Sequence, residues 1–128
     1  MHDFNAALDP VLALDSRFPR EAYLFVREAL DHTQELLVKR GGELPRHVSG
    51  MELLDGIRDL AIKQFGPMAI TVFDEWRIHR CEDFGEIVFN LVENQILSKT
   101  DEDSREDFKR GYDFTEVFRR PYLPSIRS

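Results

Sequence analysis

From Pro19 to Lys39, the residues Ala22, Val26, Ala29, Leu30, Thr33 and Leu37 return every three or four positions. That spacing matches the 3.6-residue period of an α-helix and not the two-residue alternation of a half-buried strand. Tyr23, Phe25 and Leu36 widen the stripe. Pro19 suits a first helical turn, where its missing N–H costs nothing. Lys39-Arg40 complements the C-terminal dipole and Gly41-Gly42 ends the helix. A helix this long with one apolar face is stable only when that face is covered. The remaining sequence must therefore supply partners for it.

It supplies further helices. Residues 3–14 place Phe4, Ala7, Leu8, Val11 and Leu12 at helical spacing, with Pro10 as a breaker that has to be accommodated. Asp15-Ser16-Arg17-Phe18 reads as a connector. Ser49-Gly50-Met51-Glu52 is a capping box opening a helix to about Phe65, with Met51, Leu54, Ile57, Ala61 and Phe65 on one face. Gly66-Pro67 stops that helix and starts a short one over 67–76, which holds Met68, Ile70, Val72, Phe73 and Trp76. Arg77-Ile78-His79-Arg80 is a tight link. A helix over 82–95 follows, with Phe84, Ile87, Val88, Leu91 and Val92 as its stripe and Glu82 and Asp83 favouring its N-terminus. Ile96 to Thr100 reads as a short strand, and Arg105 to Phe108 as either its returning partner or the start of a helix. The expected fold is mainly α, about five helices around one core, with room for a small winged-helix-like β-hairpin near 96–108. One domain spans 1–128, with 119–128 as a loose basic tail.

Composition excludes several classes. No apolar run approaches the roughly 18–20 residues of a membrane span. Met1-His2-Asp3-Phe4 has neither the basic nor the apolar region of a signal peptide, and a single cysteine suits a reducing cytoplasm. A single cysteine, Cys81, forms no internal disulfide and excludes Cys-rich zinc sites. Gly41-Gly42 leads into Glu43, not into the Lys-Ser/Thr of a phosphate loop, and no G-x-S-x-G elbow occurs. Asp83-Phe84-Gly85 repeats three letters of a kinase motif in a chain too short for that fold. Gly85 inside a helix marks a close approach by a neighbouring element.

Charge is regional. The chain carries 24 acids and 17 Lys plus Arg, a net −7. Residues 1–81 hold −3, residues 82–107 hold −7 with nine acids against two bases, and residues 108–128 hold +3. The order of elements over 49–108 is helix, Gly-Pro break, short helix, tight turn, longer helix and candidate hairpin, which resembles the winged-helix form of the helix-turn-helix. The would-be recognition helix, however, has Glu82, Asp83, Glu86 and Glu93 and no Lys or Arg. DNA presents one negative charge per roughly 1.7 Å of axis, so this helix is poorly suited to approach it.

Three sets of residues compete for function. The acidic set is Glu82, Asp83, Glu86, Asp101, Glu102 and Asp103 with Arg105, a surface for a basic protein partner. The basic set is Arg77, Arg80, Arg119, Arg120 and Arg127, a disfavoured nucleic-acid surface. The third is His79 with Cys81, where a thiolate at a helix N-terminus is activated in principle. One imidazole and one thiolate leave a metal two ligands short, so Cys81 reads instead as an N-cap or the residue before it. Glu82/Glu86 and Asp55/Asp59 are carboxylate pairs at helical spacing, and both read as solvated faces. Phe108, Tyr112 and Phe114 anchor the C-terminal segment on the core rather than presenting a docking surface, because a chain with ten Phe must bury most of them.

Four blocks carry a family resemblance: Tyr23-Leu24-Phe25-Val26, Phe65-Gly66-Pro67-Met68-Ala69, Glu82 through Leu91, and Asp103 through Phe108 with Tyr112-Asp113-Phe114. Over roughly Leu12 to Phe118 the chain resembles the Verrucomicrobia–Planctomycetes-restricted conserved hypothetical protein family. The resemblance implies a bacterial, cytoplasmic, single-domain protein. It implies no activity, cofactor or catalytic residue. In that family the position of Cys81 is often a small hydroxyl residue, in keeping with a helix cap. The sequence expectation is thus a non-enzymatic interaction or regulatory module with no cofactor, no metal and no membrane association, its homo-oligomeric state open. Nucleic-acid binding is the first alternative, and a small enzyme or metal site at His79/Cys81 the second.

Overall fold

The computed structural model describes residues 3–41, 48–97 and 105–124. Six α-helices occur among them: α1 (Phe4–Leu14), α2 (Arg20–Lys39), α3 (Gly50–Phe65), α4 (Ala69–Glu75), α5 (Cys81–Glu93) and α6 (Arg105–Lys109). Gly66–Met68 is a 3₁₀ turn leading into α4, and a π-type turn at Thr115–Arg119 runs into a 3₁₀ turn at Arg120–Tyr122. No strand occurs among the described residues. Among these residues no helix is long and apolar enough to cross a membrane.

Local chemistry sets the helix ends. The Asp3 carboxylate accepts from the Asn5 N–H at 3.0 Å and starts α1. Pro10 lies inside α1 without breaking it, and both it and Ala6, whose carbonyl it leaves unbonded, are exposed. Ser49 and Glu52 form the expected capping box, at 3.1 and 3.0 Å. The α4 and α5 ends share one design. Ile78 N–H reaches Phe73 O at 2.8 Å and Arg77 N–H reaches Asp74 O at 3.0 Å; Ile96 N–H reaches Leu91 O at 2.9 Å and Gln95 N–H reaches Val92 O at 3.0 Å. These are Schellman closures. They put Arg77 and Gln95 in the left-handed region, at φ 62° and 61°.

The core runs through every helix. Leu8 and Val11 of α1, Ala22, Tyr23, Phe25, Val26 and Ala29 of α2, Leu53, Leu54, Ile57 and Ala61 of α3, Phe73 of α4, and Phe84, Ile87 and Leu91 of α5 are buried. The expected α3 face turns slightly: Met51 is 47% exposed, and Leu53 and Leu60 take buried positions. α2 and α3 form the main crossing. There Thr33, 2% exposed, donates its hydroxyl to Ala29 O at 2.7 Å and sits on Gly56. A Cβ built on Gly56 would stand 1.7 Å from Thr33 Oγ1 and 2.9 Å from its Cβ. His32 Nε2 and Asp59 Oδ2, 2.6 Å apart, bridge the same two helices.

The C-terminal segment is a strap across the entries of α3 and α5. Phe108, Phe114, Val117 and Phe118 are buried. Phe108 lies where a Cβ on Gly85 would fall, 2.8 Å from its Cγ, so the close approach expected at Gly85 is made by α6. Tyr112 donates its hydroxyl to Leu54 O at 2.8 Å. Residues 105–109 are helical, so the returning strand proposed for the hairpin gives way to its alternative. Phe108 decides this, because a helical turn aims its ring onto Gly50 and Gly85. Residues 98–104, the middle of that candidate hairpin, lie outside the described residues.

Gly56→Ala is expected to destabilise the protein by about 2–3 kcal/mol through overpacking. Adding Thr33→Ala should recover part of that loss, because it removes the hydroxyl that the new methyl strikes. Chemical denaturation of the single and double variants measures both. Additive losses would mean that the crossing is not as close as described.

Candidate functional site

The entry to α5 is where the charged residues singled out in the sequence meet. Asp83 governs it. Its Oδ2 accepts from the backbone N–H of His79 at 2.8 Å and of Arg80 at 3.2 Å. The link 77–80 is thus closed by a Schellman turn on one side and by a carboxylate cap on the other. Arg80 is the N-cap residue and Cys81 the first residue of the helix, one position later than the capping role expected for it. The reason is that Asp83 caps from within the helix, so no side chain at the entry has to.

Cys81 faces inward. It is 3% exposed, and its thiol donates to Tyr112 O at 3.3 Å. Burial pushes its pKa up to about 11, and Glu82 and Asp83 add to the rise. The helix N-terminus therefore does not produce a thiolate here. The His79 ring is turned to Asp74, with Nδ1 3.2 Å from its carboxylate. No group of three or more His, Cys, Asp or Glu gathers at metal-binding distance among the described residues.

A second network fixes the floor beside the link. Arg17 forks onto Asp15, with Nε 3.0 Å from both oxygens and Nη2 2.7 Å from Oδ2. It also reaches Glu86 at 3.2 Å, and its guanidinium lies 5.2 Å from the ring centre of Phe18. Asn90 donates from Nδ2 to Asp15 Oδ2 and to the buried Tyr23 hydroxyl, both at 2.9 Å. The Arg17 side chain, with the Arg17 N–H and Asn90, holds the Asp15 carboxyl well below the usual carboxylate range. Asp15 in turn raises the pKa of Arg17. The α1–α2 connector is thereby tied to α5.

Around these anchors lie adjoining grooves. One of about 390 Å³ is lined by Arg17, Phe18, Arg77, His79, Arg80 and Asp83. A second of about 250 Å³ holds Glu82, Glu86 and Lys109 together with Arg17, Arg80 and Asp83. A third of about 310 Å³, on the other side of His79, takes in Asp74 and Arg119. The structure thus brings together Glu82, Asp83 and Glu86 of the acidic set and Arg77, Arg80 and, one groove away, Arg119 of the basic set. The acids are answered internally: Asp83 by backbone, Glu86 by Arg17, and Glu82 by Arg80 at 3.8 Å. Arg120 points elsewhere, to Glu116 at 2.8 Å. Arg105 opens α6. Asp101, Glu102, Asp103 and Arg127 lie outside the described residues.

Arg17, Phe18 and Lys109 are site residues that the sequence did not mark. Glu86 stands 69 positions from Arg17, and only the fold brings them together. The spacing Asp15-x-Arg17 was the one local signal. No family model, no curated protein and no solved structure matches this chain.

Two outcomes check this arrangement. Because the folded Asp15 pKa is depressed, its stabilisation is complete above about pH 4 and is lost as pH falls below that toward the folded value. Asp15→Asn should cost about 1–2 kcal/mol at pH 7, the upper range for charge-assisted bonds being reduced by the exposure of Arg17. It should also flatten the acid limb of the stability curve below pH 4; an unchanged limb would rule out the fork. Separately, Cys81 should react with iodoacetamide at pH 8 at least tenfold more slowly in the native protein than in denaturant, followed by mass spectrometry.

Proposed function

We propose that the chain is a non-enzymatic interaction module that recognises a protein partner with the end of the molecule formed around the α5 entry. The observation that carries this reading is the convergence there of Arg17, Arg77, Arg80, Glu82, Glu86 and Lys109 on adjoining grooves. Backbone and buried anchors hold the two segments that carry most of these residues. A pre-ordered surface of alternating charge suits selective docking, since complementary charges favour one partner and repel others. The acidic surface expected from 82–107 becomes an evenly mixed one in this reading, because Asp83 and Glu86 already have partners of their own. The inward, protonated thiol of Cys81 speaks against nucleophilic chemistry at the same place.

A second reading, nucleic-acid binding, is favoured by one observation: Arg77 and Arg80 share a groove with Arg17, and Arg119 lies next to it. Glu82 and Glu86 in the adjoining groove oppose it.

The test is a charge swap that leaves net charge unchanged, Arg80→Glu with Glu82→Lys. Affinity capture from the native source should lose a specific protein partner at least tenfold with the swap, and keep it with Glu35→Lys on the exposed side of α2. Equal recovery with all three proteins would reject this surface. A retardation assay at low salt that fails to shift nucleic acid would remove the second reading.

A further inference from the structure

The groove of about 390 Å³ has an unusual lining for a protein of net charge −7: three arginines and a histidine against one carboxylate, with Phe18 as its apolar wall. The carboxylate, Asp83, has Oδ2 turned to the His79 and Arg80 N–H groups. Arg17 is held by Asp15 and Glu86 and forms a fixed cationic side. Arg77 and Arg80 have more to offer. The Arg77 Nη1 has the carbonyls of Ser16 and Arg17 at 3.4 Å, the far limit of a hydrogen bond. The Arg80 Nη1 stands 3.8 Å from Glu82, and the side chain is 67% exposed. Arg77 also occupies a left-handed position, φ 62°, where glycine is the unstrained residue.

We propose that the groove between Arg77, Arg80, Arg17 and Phe18 binds a phosphate monoester carried on the partner protein, a phosphorylated serine or threonine. This assignment rests on the interaction reading above and names the chemistry of the partner. Guanidinium groups are the natural receptors for a phosphate dianion, because their paired N–H donors match its oxygens. Recognition of phosphorylated motifs by arginine clusters is an established binding mode. The backbone of the link is already fixed by its Schellman turn and by Asp83, so the ordering cost at binding is confined to the side chains. A single phosphate fits better than a nucleic-acid strand. A strand would carry its next phosphates past Glu82 and Glu86 on one side, and on the other past a groove where Asp74 offsets Arg119. Phe18 offers an apolar contact to the aliphatic part of the phosphorylated residue.

The full chain is titrated with an Ala-phosphoserine-Ala peptide blocked at both ends, its unphosphorylated form, inorganic phosphate and a twenty-nucleotide single strand. Backbone amide shifts are followed by NMR. Saturable shifts confined to 17–18 and 77–83, with the phosphopeptide binding at least as tightly as inorganic phosphate, support the proposal. Arg80→Gln should weaken phosphopeptide binding about tenfold. It is the decisive variant, because among the described residues its exposed side chain has only the loose contact with Glu82. Arg77→Gln should do the same, with a thermal melt to separate any loss of fold. Arg120→Gln should have no effect. Four results overturn the proposal: no saturable phosphopeptide shift, equal binding by the unphosphorylated peptide, binding untouched by Arg80→Gln, or tighter Arg80-dependent binding of the oligonucleotide or of free phosphate than of the phosphopeptide. If the charge swap abolishes partner capture while the phosphopeptide does not bind, the interaction surface stands and only the phosphate assignment falls.

Discussion

Phe73 is fully buried in α4, a helix of seven residues, and its ring lies within stacking or edge distance of six others. Those rings belong to Phe25 of α2, Phe65 of α3, Trp76, Phe84 of α5, and Phe114 and Phe118 of the strap, at 5.3 to 6.2 Å. A helix this short has little stability of its own. It persists because its one buried ring is the point where four other elements meet, and edge-to-face pairs at these distances add to the area they bury. The Ile78 N–H that closes the turn after α4 bonds to the carbonyl of this same residue. The position of the 77–80 link, and hence of Arg77 and Arg80, is therefore set by the aromatic core.

A second constraint acts from the other side. The fork of Arg17 on Asp15, with Asn90 and the buried Tyr23 hydroxyl behind it, fixes the α1–α2 connector against α5. Exposed ion pairs usually contribute little, but this one has a side chain only 19% exposed at its centre and a neutral hydrogen-bonded wall behind it. The two constraints leave the groove between them as the unfilled space where a core-determined link faces a network-determined connector. Neither side of that groove requires a ligand in order to form.

Helices α2, α3 and α4 were legible in the sequence because each has an apolar stripe and a chemical start or stop: Gly41 after α2, Ser49 and Gly66 around α3, Pro67 ahead of α4. The fate of 105–109 was not legible. Arg105 to Phe108 has no decisive period, and what makes it helical is the fit of Phe108 over Gly50 and Gly85, contacts 58 and 23 positions away in the chain. Gly85 announced a close approach but not the approaching residue. At the site, Arg77, Arg80, Glu82, Asp83 and Glu86 stood out because they are charged and lie within ten residues of one another. Arg17 did not, since its role depends on Glu86. The inward turn of Cys81 was equally hidden, because it follows from the strap reaching back to offer the Tyr112 carbonyl.

Net charge describes such a surface badly. At physiological ionic strength the field of an exposed charge fades over about 8 Å, so a groove feels its own lining more than the whole molecule. The acids of α5 are consumed at close range: Asp83 satisfies backbone donors and Glu86 satisfies Arg17. What each leaves behind is different. An acid bonded to backbone N–H groups keeps its charge but occupies no guanidinium donor, whereas an acid bonded to Arg17 also takes up donors of that cation. The cationic character that remains therefore belongs to Arg77 and Arg80. A chain of net −7 has a groove lined by three arginines and one carboxylate, and that carboxylate, Asp83, is turned to the cap of its own helix.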